Sequence, residues 1–145
     1  MECHGSIHFL QCAARCNLNI WPAEGLQIEV DMETVRTESP LPECPKCVGV
    51  ARPNILMFGD AGWIEDRSED QLIRYKDWQD SVRDKKVAIL EFGAGVGVPT
   101  VRWECEMAHG QLIRVNPRDT EAPKGAIVLP MGALEAINRI DALLA

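Results

Sequence analysis

Apolar and polar positions follow two regimes along the chain. Residues 1–54 show little helical periodicity and are rich in Cys and Pro, as in a small irregular module. Within them Leu26, Ile28, Val30 and Met32 alternate with Gln27, Glu29 and Asp31, the period of two expected of a half-buried strand in an antiparallel ribbon. Pro40, Pro42 and Pro45 keep the following stretch out of regular structure. From Ile55 onward the pattern is of alternating strands and helices. Ser68, with Gln71 three residues later, has the form of a capping box, and Leu72, Tyr75, Trp78 and Val82 follow on one helical face. Val87 to Phe92, Leu112 to Val115 and Ala126 to Leu129 are short apolar runs that fit buried parallel strands. Leu134, Ile137, Ile140 and Leu144 form one stripe, which predicts a final amphipathic helix packed on the sheet.

Composition narrows this picture without naming a function. The chain has 145 residues, 46% apolar and 26% charged, enough for one compact domain with a small appended module. A net charge of -7 with 15 dispersed basic residues argues against a nucleic-acid surface, which needs clustered Lys and Arg, and suits a basic partner such as a lysine-rich protein tail. No apolar run reaches the roughly 20 residues that span a bilayer, and the first residues have no signal-peptide character, so no membrane role and a cytoplasmic location are expected. Trp63, Trp78 and Trp103 are expected in core packing, and the run from Glu65 to Asp70 reads as the solvated acidic start of a helix.

The six cysteines carry the first chemical signal. Cys12 and Cys16 form one close pair, Cys44 and Cys47 another, with the alternating segment between them. Two such loops on a small ribbon can supply four thiolates to a tetrahedral zinc, and a module with so little apolar core draws folding free energy from the metal. Four protein ligands leave no position for water, so this zinc would be structural. Cys3 and Cys105 have no sequence partner and read as packing residues.

The second signal is the strand Val87 to Phe92 running into Gly93-Ala94-Gly95-Val96-Gly97. Missing side chains let backbone approach a nucleotide, and a following helix N-terminus favours phosphate. Alone, the segment also resembles the first motif of class I methyltransferases, where an acidic residue precedes the turn and S-adenosylmethionine lies against it. Only about 50 residues follow, enough for roughly two further strand-helix units, and the next strand ends at Val115-Asn116 without the ribose-binding carboxylate common in such folds. A turn that only shapes a strand-to-helix connection is the plain alternative.

Taken together, the segments resemble a sirtuin. Glu2-Cys3-His4-Gly5-Ser6 is similar to the family's His-Gly motif, which precedes the zinc cysteines. Arg52-Pro53-Asn54-Ile55-Leu56-Met57-Phe58-Gly59-Asp60 resembles the segment that pairs with the acyl-lysine peptide and walls its tunnel. Gly93-Ala94-Gly95 matches the place of the family's Gly-Thr-Ser, Val98-Pro99 the Val-x-Pro after it, and Leu112 to Asn116 the strand whose terminal Asn meets the adenosine ribose. Ala133 falls where the family contacts the adenine end. The first Cys pair is one residue wider than usual, and the Glu after Phe-Gly is Asp60.

The resemblance implies an NAD-dependent protein lysine deacylase. The acyl oxygen of a modified lysine attacks C1′ of the NAD ribose as nicotinamide leaves, and His4 acts as general base on a ribose hydroxyl, a task that suits a side chain partly neutral near pH 7. Leu56 and Phe58 would contact the acylated lysine, and Gly93, Ala94, Gly95, Asn116 and Ala133 would contact NAD. The expected fold is α/β: residues 1–9 a catalytic His-Gly segment, 10–54 a zinc ribbon, and 55–145 the C-terminal half of a Rossmann-like domain. The family's phosphate loop and nicotinamide pocket precede the His-Gly segment, so this chain by itself is expected to bind NAD poorly, with an exposed sheet edge. A methyltransferase-like enzyme and a non-catalytic zinc-dependent interaction module are the other two readings.

Overall fold

The computed structural model describes residues 1–144 and is mixed α/β. It divides into two compact units, Met1–Lys76 and Asp77–Ala145.

The first unit is built on an antiparallel sheet in the order β2-β1-β5, with β1 at Gly5–Cys12, β2 at Ile20–Pro22 and β5 at Ala51–Ile55. The β1–β5 register slips between Ser6 and Leu10, which pair with Asn54 and Pro53 respectively, so Ile7, His8 and Phe9 bulge from the ladder. Proline has no N–H to give the ladder, and the slip falls beside Pro53. Buried polar groups then tie the next loop to the sheet. Gln11 Oε1 accepts from Asn54 Nδ2 (2.9 Å) and from the Ile64 N–H (3.1 Å), while Gln11 Nε2 donates to the Gly62 carbonyl (2.7 Å).

The alternating segment differs from its expectation. Only Val30–Asp31, as β3, pairs with Arg36–Thr37, as β4, and Leu26, Ile28, Val30 and Met32 are all exposed. A period of two stabilises a strand only when one face is covered, and none of these side chains is.

Helix α1 spans Asp66–Ser81, with Asp66 and Glu69 in its acidic first turn as expected. Ser68 and Gln71 do not form a capping box, since Ser68 already lies inside the helix. Ser68 Oγ donates to the Glu2 carbonyl (3.0 Å), and Gln71 takes the Glu2 N–H (2.7 Å) and donates to its carboxylate (2.9 Å). The two residues fasten the start of the chain to α1.

The second unit holds a parallel three-stranded sheet in the order β6-β7-β8, at Ala88–Phe92, Gln111–Val115 and Ile127–Leu129, with α2 (Thr100–Met107) between β6 and β7 and α3 (Ala133–Leu144) after β8. Register pairs in a parallel sheet share a face, so Glu91 and Arg114 lie on one side, where Glu106 of α2 reaches Arg114. Leu90 and Phe92 lie on the other and remain exposed, by 47% and 38%. Strands β6 and β8 each have one neighbour among the described residues. Of α3 only Ala136 is fully buried, while Leu134, Ile137 and Leu144 are exposed, so its apolar stripe is not the packed face expected. Trp63 is half-buried and Trp103 exposed, so the tryptophan indoles are not a common core. No described helix is long and apolar enough to cross a membrane.

Candidate metal centre and sheet-edge loops

The four paired cysteines converge. Cys12 closes β1, Cys16 follows it across a loop, and Cys44 and Cys47 lie in the loop before β5. All four sulfurs lie within 4.8 Å of one another, with Cys12 to Cys47 at 3.7 Å and Cys16 to Cys44 at 3.6 Å. A tetrahedral ion with metal–sulfur bonds of about 2.3 Å needs its ligands about 3.8 Å apart, so these four can hold a metal such as zinc.

The chain bends sharply to bring them there. Arg15 and Val48 have φ of 49° and 59°, a conformation unusual for any non-glycine residue and strained for β-branched Val48. Each bend closes a tight loop, with the Arg15 N–H on the Cys12 carbonyl (3.1 Å) and the Val48 N–H on the Cys44 carbonyl (2.9 Å).

Backbone N–H groups point into the sulfur cluster. Those of Cys47 and Lys46 pull the Cys44 thiol down to about 6, and the Cys16 N–H heads the groups that lower Cys12. Burial and the neighbouring sulfurs push Cys16 the other way, to about 12. Four thiolates this close repel, and a divalent cation lets all of them ionise together. Asn17, which the sequence reading passed over, donates through Nδ2 to Cys16 Sγ (3.2 Å), a partner of the kind that orients metal ligands.

His4 immediately precedes β1, and its carbonyl accepts from the Leu56 N–H (3.0 Å), so it lies beside the end of β5. Its side chain is exposed. Gly5 makes this approach possible: a Cβ there would lie 2.0 Å from the Asn54 carbonyl oxygen, and its φ is 77°. Beyond β5, Leu56 to Asp60 line an open cleft of about 410 Å3 in which Phe58 is 94% exposed.

Asp60 holds that loop closed. Its carboxylate pairs with Arg52 (2.7 Å) and accepts from the Gly62 N–H (3.1 Å) and the Met57 N–H (3.4 Å). Burial pushes the Asp60 carboxyl up, but Arg52 and these amides outweigh it and hold the group below its ordinary value.

In the second unit the remaining candidates gather at one edge. Gly93 to Gly95 follow β6, Asn116 follows β7 and Ala133 lies four residues past the end of β8. This is the carboxyl edge of a parallel sheet, where open α/β folds bind ligands. Asn116 is almost fully buried. Its Oδ1 accepts the Arg118 (3.0 Å) and Asp119 (2.9 Å) N–H groups, and its Nδ2 donates to the Ala94 carbonyl (3.1 Å). One Nδ2 hydrogen is not used in these bonds. Gly93 has φ 64°, and no atom lies within 4 Å of a Cβ built at Gly93, Gly95 or Gly97, so the turn is open. Pro99 starts α2 without a side-chain cap.

Sequence reasoning missed the buried ion network beneath this edge. Arg114 makes a two-pronged pair with Glu91 (2.6 and 2.7 Å), both side chains fully buried, and a third contact to Glu106 (2.8 Å). The Glu91 hydrogen bond heads the causes that raise the Arg114 guanidinium's pKa above its ordinary value. Arg102, also buried, lies 3.6 Å from Glu106, and both guanidiniums donate to the Glu121 carbonyl. Glu91 is read as the acidic residue before the glycine turn and Arg114 as the one Arg of an apolar run, and their spacing of 23 residues becomes a contact only through the β6–β7 register.

No protein-family model matches the chain, and no curated protein matches it.

Proposed function

We propose that this chain carries the His-Gly, metal-binding and nucleotide-facing parts of a sirtuin-type NAD-dependent protein lysine deacylase, with structural zinc in a ribbon-like module and a Rossmann-like second unit. The observation that carries the reading is the β1–β5 pairing. It brings His4, Leu56 and the open Phe58 loop to one end of a sheet whose other end holds the four cysteines. An exposed histidine beside an open apolar cleft suits a general base working on a bound reactant. Phe58, so exposed, is available to an extended peptide and its acylated lysine.

In this reading His4 accepts a proton from a ribose hydroxyl, Leu56 and Phe58 hold the acyl-lysine, and Gly93, Ala94, Gly95, Asn116 and Ala133 face NAD. A methyltransferase reading is disfavoured by Glu91: its carboxylate is buried and held inward by a two-pronged pair with Arg114, away from any ligand at the turn.

The test uses the zinc-loaded chain and an acetyl-lysine peptide followed by NMR. Shifts at His4 and at Leu56 to Gly59, abolished by Phe58→Ala, are expected. Any nicotinamide release from NAD should be lost in His4→Ala. A peptide that leaves the Leu56 to Gly59 amides unmoved would overturn the reading.

A further inference from the structure

The glycine turn after β6 does not shape itself. Its Ala94 carbonyl accepts from Asn116 Nδ2 (3.1 Å) and from Arg102 NH1 (3.3 Å), so that oxygen is turned inward. A trans peptide sets its C=O and N–H in opposite directions. Drawing the Ala94 oxygen inward therefore sends the Gly95 N–H outward, and that N–H has no acceptor among the described residues. Open space surrounds the position of its missing Cβ.

Arg102 reaches the second loop as well. Its NH1 also donates to the Asp119 carbonyl (3.2 Å) and its NH2 to the Glu121 carbonyl. Three carbonyls from two loops thus converge on one buried guanidinium, whose Nε side faces Glu106. Glu106 is fixed in turn by Arg114, and Arg114 by Glu91 on β6. The planar fork of arginine can serve several acceptors at once, which a lysine ammonium on its flexible stem cannot reproduce.

We propose that Arg102 is the positioning residue of the nucleotide site: it locks the Gly93–Gly97 turn and the Asn116–Glu121 loop into one rigid rim and aims the Gly95 N–H at the ligand. The inference rests on the nucleotide reading above for its purpose and on the geometry of Arg102 for its mechanics. A rim fixed before the ligand arrives avoids the ordering cost of two loops on binding.

The experiment is 15N relaxation on the zinc-loaded full chain, with and without ADP-ribose, for wild type, Arg102→Met and Arg102→Lys. Wild-type order parameters at Ala94 to Val98 and Asp119 to Glu121 should match rigid backbone, about 0.85. In Arg102→Met both loops should loosen together, toward about 0.6, while β6, β7 and β8 keep their values. Arg102→Lys, a milder change that serves if the methionine variant fails to fold, should hold at most one loop. ADP-ribose binding, weak from the start in this chain, should weaken further on the order of tenfold in Arg102→Met. Unchanged order parameters at both loops in a folded variant would overturn the clamp, and so would ADP-ribose affinity unaffected by Arg102→Met. Wild type that shows rigid loops yet no ADP-ribose shifts would sink the nucleotide reading alone, with the loosening in the variants still deciding the clamp.

Discussion

At the scale of single residues, the site depends on positions where backbone comes closer than a side chain permits. Gly5 is the sharpest case. Its φ of 77° lies in the left-handed region, and an added Cβ would meet the Asn54 carbonyl at 2.0 Å. Asn54 cannot retreat, because its Nδ2 is bonded to Gln11 and to the Ile64 carbonyl in a buried network. The left-handed conformation alone costs an L-residue about 1–2 kcal/mol, and the overlap adds to it. Gly5→Ala should therefore lower stability by more than about 2 kcal/mol in a urea titration of the zinc-loaded chain. A loss under half that would show that β1 slides along β5 to make room, and His4 would shift with it. The glycine beside the histidine was legible in the sequence as part of a motif. Its physical reason was not, because Asn54 becomes its neighbour only through the β1–β5 pairing.

At the scale of elements, the strands and helices of the second half were readable because short apolar runs and glycine turns mark a parallel sheet directly. The polar residues within those strands were harder to read. Glu91 and Arg114 break the apolar pattern of β6 and β7, and as single residues they look like exposed positions. Pairing at equal register cancels their charges inside the fold. The same blindness to distant partners explains α1, where Ser68 and Gln71 have cap spacing but spend their hydrogen bonds on Glu2. A buried pair of this kind is costly to break and cheap to replace. Arg114→Met should destabilise the chain by about 3–5 kcal/mol, since it leaves the buried Glu91 charge without its partner, and Glu91→Leu by less, since Arg114 keeps Glu106. The double variant should recover most of that loss in the same urea titration. Additive losses would mean that Glu106 and the Glu121 carbonyl, and not Glu91, supply the compensation for Arg114.

At the scale of the molecule, the first unit is short of apolar core, and that shortage decides what holds it. Its buried apolar residues are Leu10, Cys12, Cys44, Ala51 and Ile64, two of them from the sulfur cluster, and its other buried residues are the polar Ser6, Gln11, Asn54 and Ser68. The cysteine spacing announced this centre in the sequence, because ligand pairs are a local signal. The alternating segment between the pairs was misleading, since without a covered face it makes only the two-residue β3–β4 pairing. Two forces can then keep β1 on β5: a metal joining Cys12 and Cys16 to Cys44 and Cys47, or the hydrogen-bonded Gln11, Asn54 and Ile64 cluster. The convergence of four sulfurs to within 4.8 Å favours the metal, because thiolates that close repel one another until a cation binds them. Mass spectrometry should find about one zinc per chain, lost in Cys44→Ser. Chelation under reducing conditions should collapse the amide dispersion of residues 5–55 and separate His4 from Leu56, and one equivalent of zinc should restore both. Dispersion that survives chelation would assign the fold of this unit to the Gln11–Asn54 network, with the cysteines serving another chemistry.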